Sequence, residues 1–415
     1  MSRSKFILVL VLLFVLALPA VVQAQEAVPV LISVGAPEGT GTAVVSDGAS
    51  LGDSITITMA GVTAPDAGME YVAWLVSDDG ASSLNLGALT VAADGSVSHT
   101  FDSTSTDYDG SNLIAMYSTL AITAETAGST PAQPSDTVFG GSVLIAGMAH
   151  VRHLLTSRPA GADVGILTDL KTQLNAAIQH AELAAAALTI EDVQLHTHHV
   201  INIIEGEDGA NFDAASTNPG DGLGVLAHAD DREHAGFAAS ADADNTVMAA
   251  AAIGVDVNGL NAATWAGQAR DIALQVLGTS NISLAKIFLG PGGGTVVSTL
   301  QAARSGHDAD GDGTIESIAN EGGADQAYVE AQAMATYSIV ANPIPQVAPT
   351  PVATATPVPT ATPIPLTPLQ PAGPGRGLPG VGDDSVPLAA QLGLLAAIAL
   401  MGAGGVLMIR GRKSS

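Results

Sequence analysis

Apolar and polar residues follow different periods in different stretches of this chain. From Pro29 to Val143 they alternate in short runs: Ser54 to Met59 places every second side chain on one face. The run Glu70 to Val76 is apolar on both faces, and Leu86–Val91, Ser96–Phe101 and Leu113–Glu125 follow. A period of two marks half-buried strands. Asp47-Gly48, Asp79-Gly80, Asp94-Gly95 and Asp109-Gly110 separate the runs. Glycine accepts positive φ and aspartate bonds to its own backbone, so each pair favours a tight turn. The pattern predicts an antiparallel, Ig-like β-sandwich of about seven strands over residues 25–143.

From Leu144 the spacing changes to three and four, and alanine becomes dense. The clearest helix spans Asp169–Leu188, with Leu170, Leu174, Ala177, Ile178, Ala181 and Ala185 on one face. Thr189, with Asp192 three residues on, caps a second helix that runs through Val193, His196, Val200 and Ile203 to Gly206. Further helices are expected over Leu223–Ala241, Ala243–Ile253, Asn261–Leu277, Ser283–Leu289, Thr295–Ser305 and Ala324–Val340. Without intervening strands, residues 144–342 read as an all-α helical bundle.

The two ends carry addresses. Basic Arg3 and Lys5, apolar Phe6 to Ala20, and Val22-Gln23-Ala24 predict a signal peptide over 1–24. Residues 343–382 read as an extended stalk, because 12 of the 37 residues from Pro343 to Pro379 are proline. Polyproline II at that density reaches on the order of 100 Å. Leu388 to Ile409 is a run of 22 residues without a charge, long enough to span a bilayer within an anchor at 383–409. The basic tail 410–415, with Arg410, Arg412 and Lys413, is expected to stay in the cytoplasm. Leu378 to Gly382 resembles a cell-wall sorting signal, but Val381 replaces the threonine at which sortases cleave. Membrane retention is the expectation: a single-pass type I protein with its bulk outside the cell.

Composition narrows the chemistry. Cysteine is absent, which excludes disulfides, thiolate-bound zinc, iron–sulfur clusters and covalently attached haem. The formal net charge is −27, and no Lys or Arg occurs between Lys5 and Arg152. Such a surface repels phosphate backbones, so nucleic acid is not an expected partner. An extracellular ligand, a surface protein and the membrane remain compatible.

The β-patterned stretch, about residues 30–143, resembles the extracytoplasmic C-terminal domain of anti-sigma-K factors. The likeness rests on Glu70 to Val76, Leu86 to Val91, Asp94-Gly95 and Ile122 to Glu125. It continues through Gly128 to Pro131 into the apolar exit Val138 to Val143. Thr126 stands where that family usually has proline. The resemblance implies a fold and an extracytoplasmic address. It does not imply sigma-factor inhibition, since the family's sigma-binding helical domain has no counterpart in this sequence.

Two constellations bear chemistry. Nine of the ten histidines follow residue 149. His196 and His199 share a helix face, His150 and His153 repeat that spacing, and His180 lies on the preceding helix. Neutral imidazoles on facing helices hold a transition metal or b-type haem; surface histidines with hydrogen-bonding roles are the other reading. The second constellation is Asp308, Asp310, Asp312, Thr314 and Glu316. Their spacing, with Gly313 at the sixth position, reproduces a calcium loop. Position twelve is Ala319 rather than a bidentate glutamate, and Glu316 or Glu321 is expected to substitute. No nucleophile–base motif appears, so no enzymatic activity is expected. The leading expectation is a non-catalytic structural or ligand-interaction protein of the cell surface with a calcium-stabilised helical domain. The alternatives are an envelope metal- or haem-binding module and, third, a sensory ectodomain.

Overall fold

The computed structural model describes residues 37–158 and 164–341. The expected signal peptide 1–24, stalk 343–382, anchor 383–409 and tail 410–415 lie outside the described residues. Seven strands come first: β1 (Thr40–Ser46), β2 (Ser54–Ala60), β3 (Met69–Ser77), β4 (Ser83–Leu89), β5 (Val97–Phe101), β6 (Tyr117–Thr126) and β7 (Thr137–Ser142). A one-turn helix, α1 (Leu113–Met116), precedes β6. Gly80, Gly95 and Gly110 of the Asp-Gly pairs adopt positive φ, as tight turns require.

The strands form one eight-stranded sheet in the order β4-β3-β6-β7-β8-β1-β2-β5, where β8 is Tyr337–Ala341. Every pairing is antiparallel. The expected pair of packed sheets is thus a single sheet, curled until its edges β4 and β5 approach. There the His99 ring meets the Leu86 carbonyl at 2.7 Å. Closure of this kind lets side chains fill the interior and leaves little unpaired edge. Alternation supplies the filling: Ala43, Val45, Ile55, Ile57, Tyr71, Leu75, Ile122 and Phe139 are all buried. The doubly apolar β3 has a second role. Val72 and Trp74 turn to the opposite face and form a small cluster with Ala121.

Between β7 and β8 the chain makes a helical excursion. It comprises α2 (Ile145–Leu155), α3 (Ile166–Ala186), α4 (Ile190–Glu205), α5 (Val225–Asp230), a 3-10 turn (Asp231–Glu233), α6 (His234–Ala241), α7 (Thr246–Leu277), α8 (Ile282–Leu289), α9 (Val296–Ser305) and α10 (Ala324–Ala333). Three expectations change here. The helix expected over Leu223–Ala241 is α5 and α6 joined by the 3-10 turn. The helices expected at Ala243–Ile253 and Asn261–Leu277 are one, α7. The intervening glycines serve close approach rather than a break: a Cβ on Gly254 would lie 2.6 Å from the Glu330 side chain, and one on Gly259 2.5 Å from Arg232. The helix expected over Ala324–Val340 stops at Ala333, and β8 pairs with both β1 and β7. Helix α7 is long and apolar enough to cross a membrane, yet half of its apolar window is buried against neighbours.

Sheet and helices share one apolar core. Polar contacts join them as well. Asp47, beyond β1, accepts from Tyr328 at 3.2 Å and Gln332 at 2.7 Å, both on α10. Arg152 of α2 clasps Asp78 through two bonds of 2.6 and 2.9 Å, a fork geometry that suits guanidinium and carboxylate. Tyr337 donates to the Tyr117 carbonyl at 3.2 Å inside the core.

Candidate metal centres

Helix α4 starts at a fixed point. Thr189 Oγ1 accepts the Asp192 N–H at 3.1 Å, and Glu191 and Asp192 in the first turn complement the helix dipole. His196 and His199 then fall one turn apart on one face. A short connection folds α4 back against α3, where Ala177, Ala181 and Ala184 are fully buried. Side chains this small let the helices approach closely, and His180 of α3 reaches the α4 pair.

His180 Nδ1 lies 3.1 Å from His196 Nδ1 and 3.3 Å from His199 Nδ1. An imidazole nitrogen offers a single in-plane position, a proton or a lone pair, so His180 Nδ1 cannot make a linear hydrogen bond to both neighbours. Three lone pairs aimed at one cation suit the arrangement. Three nitrogens bound tetrahedrally at about 2.0–2.1 Å from one ion lie about 3.3–3.4 Å apart. The observed spacing is close to that. Burial, then the neighbouring His199 and His196, push the His180 pKa down from 6.5 to about 4. Burial with His196 and His198 lowers that of His199 as well. Both imidazoles are therefore neutral at neutral pH, the form that ligates metal. His199 Nε2 is buried without a hydrogen-bond partner among the described residues. His198 turns aside to Asp213 at 3.3 Å. His150 and His153 do not join this group; they meet His234, which the sequence alone did not single out.

The acidic loop follows α9. Asp308 accepts the Gly311 and Gly313 N–H groups at 2.6 and 3.0 Å, and Asp312 accepts that of Thr314 at 2.8 Å. Carboxylate oxygens of Asp308, Asp310 and Asp312 lie within 4.8 Å of one another. Thr314 Oγ1 bonds to Asp312 and Glu316. Glu321 is fully buried and reaches back to accept the Ala309 N–H at 3.0 Å. Its Oε2 and that of Glu316 are buried without hydrogen-bond partners among the described residues. The Ala309 N–H lowers the Glu321 pKa, but facing Glu316, burial and Asp310 outweigh it and hold the group above its ordinary value. Asn261 of α7 anchors the loop through the Asn320 N–H at 2.9 Å and the Ile318 and Gly322 carbonyls at 2.8 and 2.9 Å.

A further acidic and imidazole group, Asp169, Asp221 and His228, surrounds a guanidinium. His228 is fully buried, 2.6 Å from Asp221, and its other nitrogen contacts Arg158. Burial raises the Asp221 pKa, but His228 outweighs it and holds the group near 2. With a cation already among its carboxylates, this cluster reads as an internal ion pair.

Residues 6–138 match the family model described as anti-sigma-K factor rskA, C-terminal. The match covers about a third of the chain. It opens at the apolar segment Phe6–Ala20 and ends within β7, so helices α2 to α10 and β8 lie beyond it. No curated protein and no solved structure matches the chain.

Proposed function

We propose that the chain is a membrane-anchored surface protein whose helical excursion is a transition-metal-binding module, with His180, His196 and His199 as the ligands. The observation that carries this reading is the approach of His196 Nδ1 and His199 Nδ1 to 3.1 and 3.3 Å from His180 Nδ1, close to the spacing of a tetrahedral ion's ligands. Three imidazole nitrogens, with neither thiolate nor carboxylate among them, suit zinc, copper, nickel or iron and not calcium. The spacing favours a bare ion over b-type haem. Two axial imidazoles on opposite sides of a haem iron stand about 4 Å apart, twice a bond of about 2 Å, with the macrocycle between them. His180 and His196, only partly buried, leave room for water as a fourth ligand. Binding rather than turnover is proposed, because the sequence carries no nucleophile–base motif.

Calcium is proposed as a second, structural ion in the loop 308–321. Two buried carboxylate oxygens, on Glu316 and Glu321, that have no donor among the described residues favour it, since buried acceptors normally have partners. Glu321 takes the role that Ala319 leaves open in the twelve-position pattern. The likeness of residues 6–138 to an extracytoplasmic domain supports display outside the membrane, and Leu388–Ile409 supports anchorage. The test is equilibrium titration of the full-length chain, purified without a histidine tag, with zinc. A loss of one tightly bound ion per chain in His180→Ala and in His199→Ala is expected; an unchanged stoichiometry in both variants overturns the assignment.

A further inference from the structure

Helices α2 and α6 pack against each other elsewhere in the excursion, and they carry a second set of histidines. His150 and His153 lie one turn apart on α2, and His234 opens α6. His234 Nδ1 lies 3.0 Å from His150 Nδ1 and 3.4 Å from His153 Nδ1. The equivalent distances around His180 are 3.1 and 3.3 Å.

The rings repeat too. Centroids of His150–His153, His150–His234 and His153–His234 are 5.7, 5.3 and 4.9 Å apart. Those of His196–His199, His180–His196 and His180–His199 are 5.6, 5.3 and 4.8 Å apart. The interplanar angles run 84°, 39° and 82° in one set against 76°, 40° and 88° in the other. Chain connectivity does not explain the match. At one place the lone histidine lies 16 residues before the first of its pair, at the other 84 residues after. The helix pairs also differ in length and neighbours. What the two places share is the donor geometry that one small ion imposes on three imidazoles.

We infer that His150, His153 and His234 form a second transition-metal centre, so that each chain holds two such ions in equivalent three-imidazole sites. The second centre has its own surroundings. Phe237 packs its ring 5.5 Å from His150 and 5.6 Å from His234, covering one side. Burial and His150 lower the His234 pKa while Asp231 and Glu233 oppose them, and burial with His234 and His150 lowers that of His153. The two carboxylates add favourable charge for a divalent cation. The inference stands on its own residues and does not require the first centre to be occupied.

Cobalt(II) is the probe, because tetrahedral coordination gives it strong visible absorption. The full-length untagged chain, His153→Ala, His234→Ala, His199→Ala and the pair His153→Ala/His199→Ala would be titrated. Circular dichroism checks that each is folded, and two variants of the second centre guard against a single misfolded one. Expected are two ions per wild-type chain, one in each single variant and none in the pair. One ion per wild-type chain that only His199→Ala removes overturns this inference and leaves the first centre standing. Two ions persisting in His153→Ala and His234→Ala also overturn it. One wild-type ion that only His153→Ala and His234→Ala remove supports the second centre and overturns the first. No binding to the wild-type chain overturns both.

Discussion

Replacing Asp47 with alanine should loosen the sheet and the helices together. One carboxylate oxygen of Asp47 accepts from the Gly52 N–H at 2.8 Å, Tyr328 Oη at 3.2 Å and Gln332 Nε2 at 2.7 Å. Tyr328 and Gln332 are only 4% and 8% exposed, so water cannot readily replace the lost acceptor. A hydrogen bond to a charged group contributes about 1.5–3 kcal/mol, and an orphaned buried donor costs about 1–3 kcal/mol. Some relaxation is available, which places the expected loss at about 2–4 kcal/mol. The assay is denaturant unfolding followed by fluorescence. The chain has two tryptophans: Trp74 in β3, buried and bonded to Thr123 at 3.0 Å, and Trp265 in α7. Trp74→Phe and Trp265→Phe therefore leave one reporter in each part. Because one core joins them, both reporters should show the same midpoint, and Asp47→Ala should lower both equally. A loss below about 0.5 kcal/mol, the range of an ordinary surface change, would refute the reasoning. So would a shift seen by one reporter alone.

Two more expectations follow from charged groups. Calcium should raise the melting temperature of the wild-type chain, by about 2.7 kcal/mol of stability at a hundredfold excess over its dissociation constant. Glu321→Gln should abolish most of that gain, and equal gains in wild type and variant would exclude Glu321 as a ligand. For Asp221, a folded pKa near 2 against an ordinary 3.8 means the pairing stabilises fully above 3.8 and is lost as pH falls towards 2. After discounting for solvent screening, the loss should be about 1–2 kcal/mol. Acid titration of stability should therefore be shallower in Asp221→Asn within that window, and an identical slope would count against the pair.

Local physics made much of this fold legible. The α3–α4 hairpin could be read because its cap at Thr189, its stop at Gly206 and its apolar spacing are all short-range signals. The strands and Asp-Gly turns were legible for the same reason. Strand β8 was not: Tyr337 to Ala341 follows a helix without a turn signal, and its strand character comes from β1 and β7, more than 190 residues away. The closure of one sheet likewise depends on β4 meeting β5, which alternation within a strand does not encode. Glycines 254 and 259 punctuate the sequence as a break would, and only the neighbouring Glu330 and Arg232 side chains reveal their use. At the sites, spacing identified the His196–His199 face and the acidic loop. His234 carried no local signal, because its partners lie 81 and 84 residues earlier.

X-ray absorption at the metal edge of the zinc-loaded, full-length chain tests the central claim most directly. Three imidazole nitrogens at about 2.0–2.1 Å, with one light fourth ligand, are expected. In His153→Ala the same shell should remain on the ion held by His180, His196 and His199. A shell of carboxylate oxygens, or an average of one or no imidazole per zinc, would contradict it.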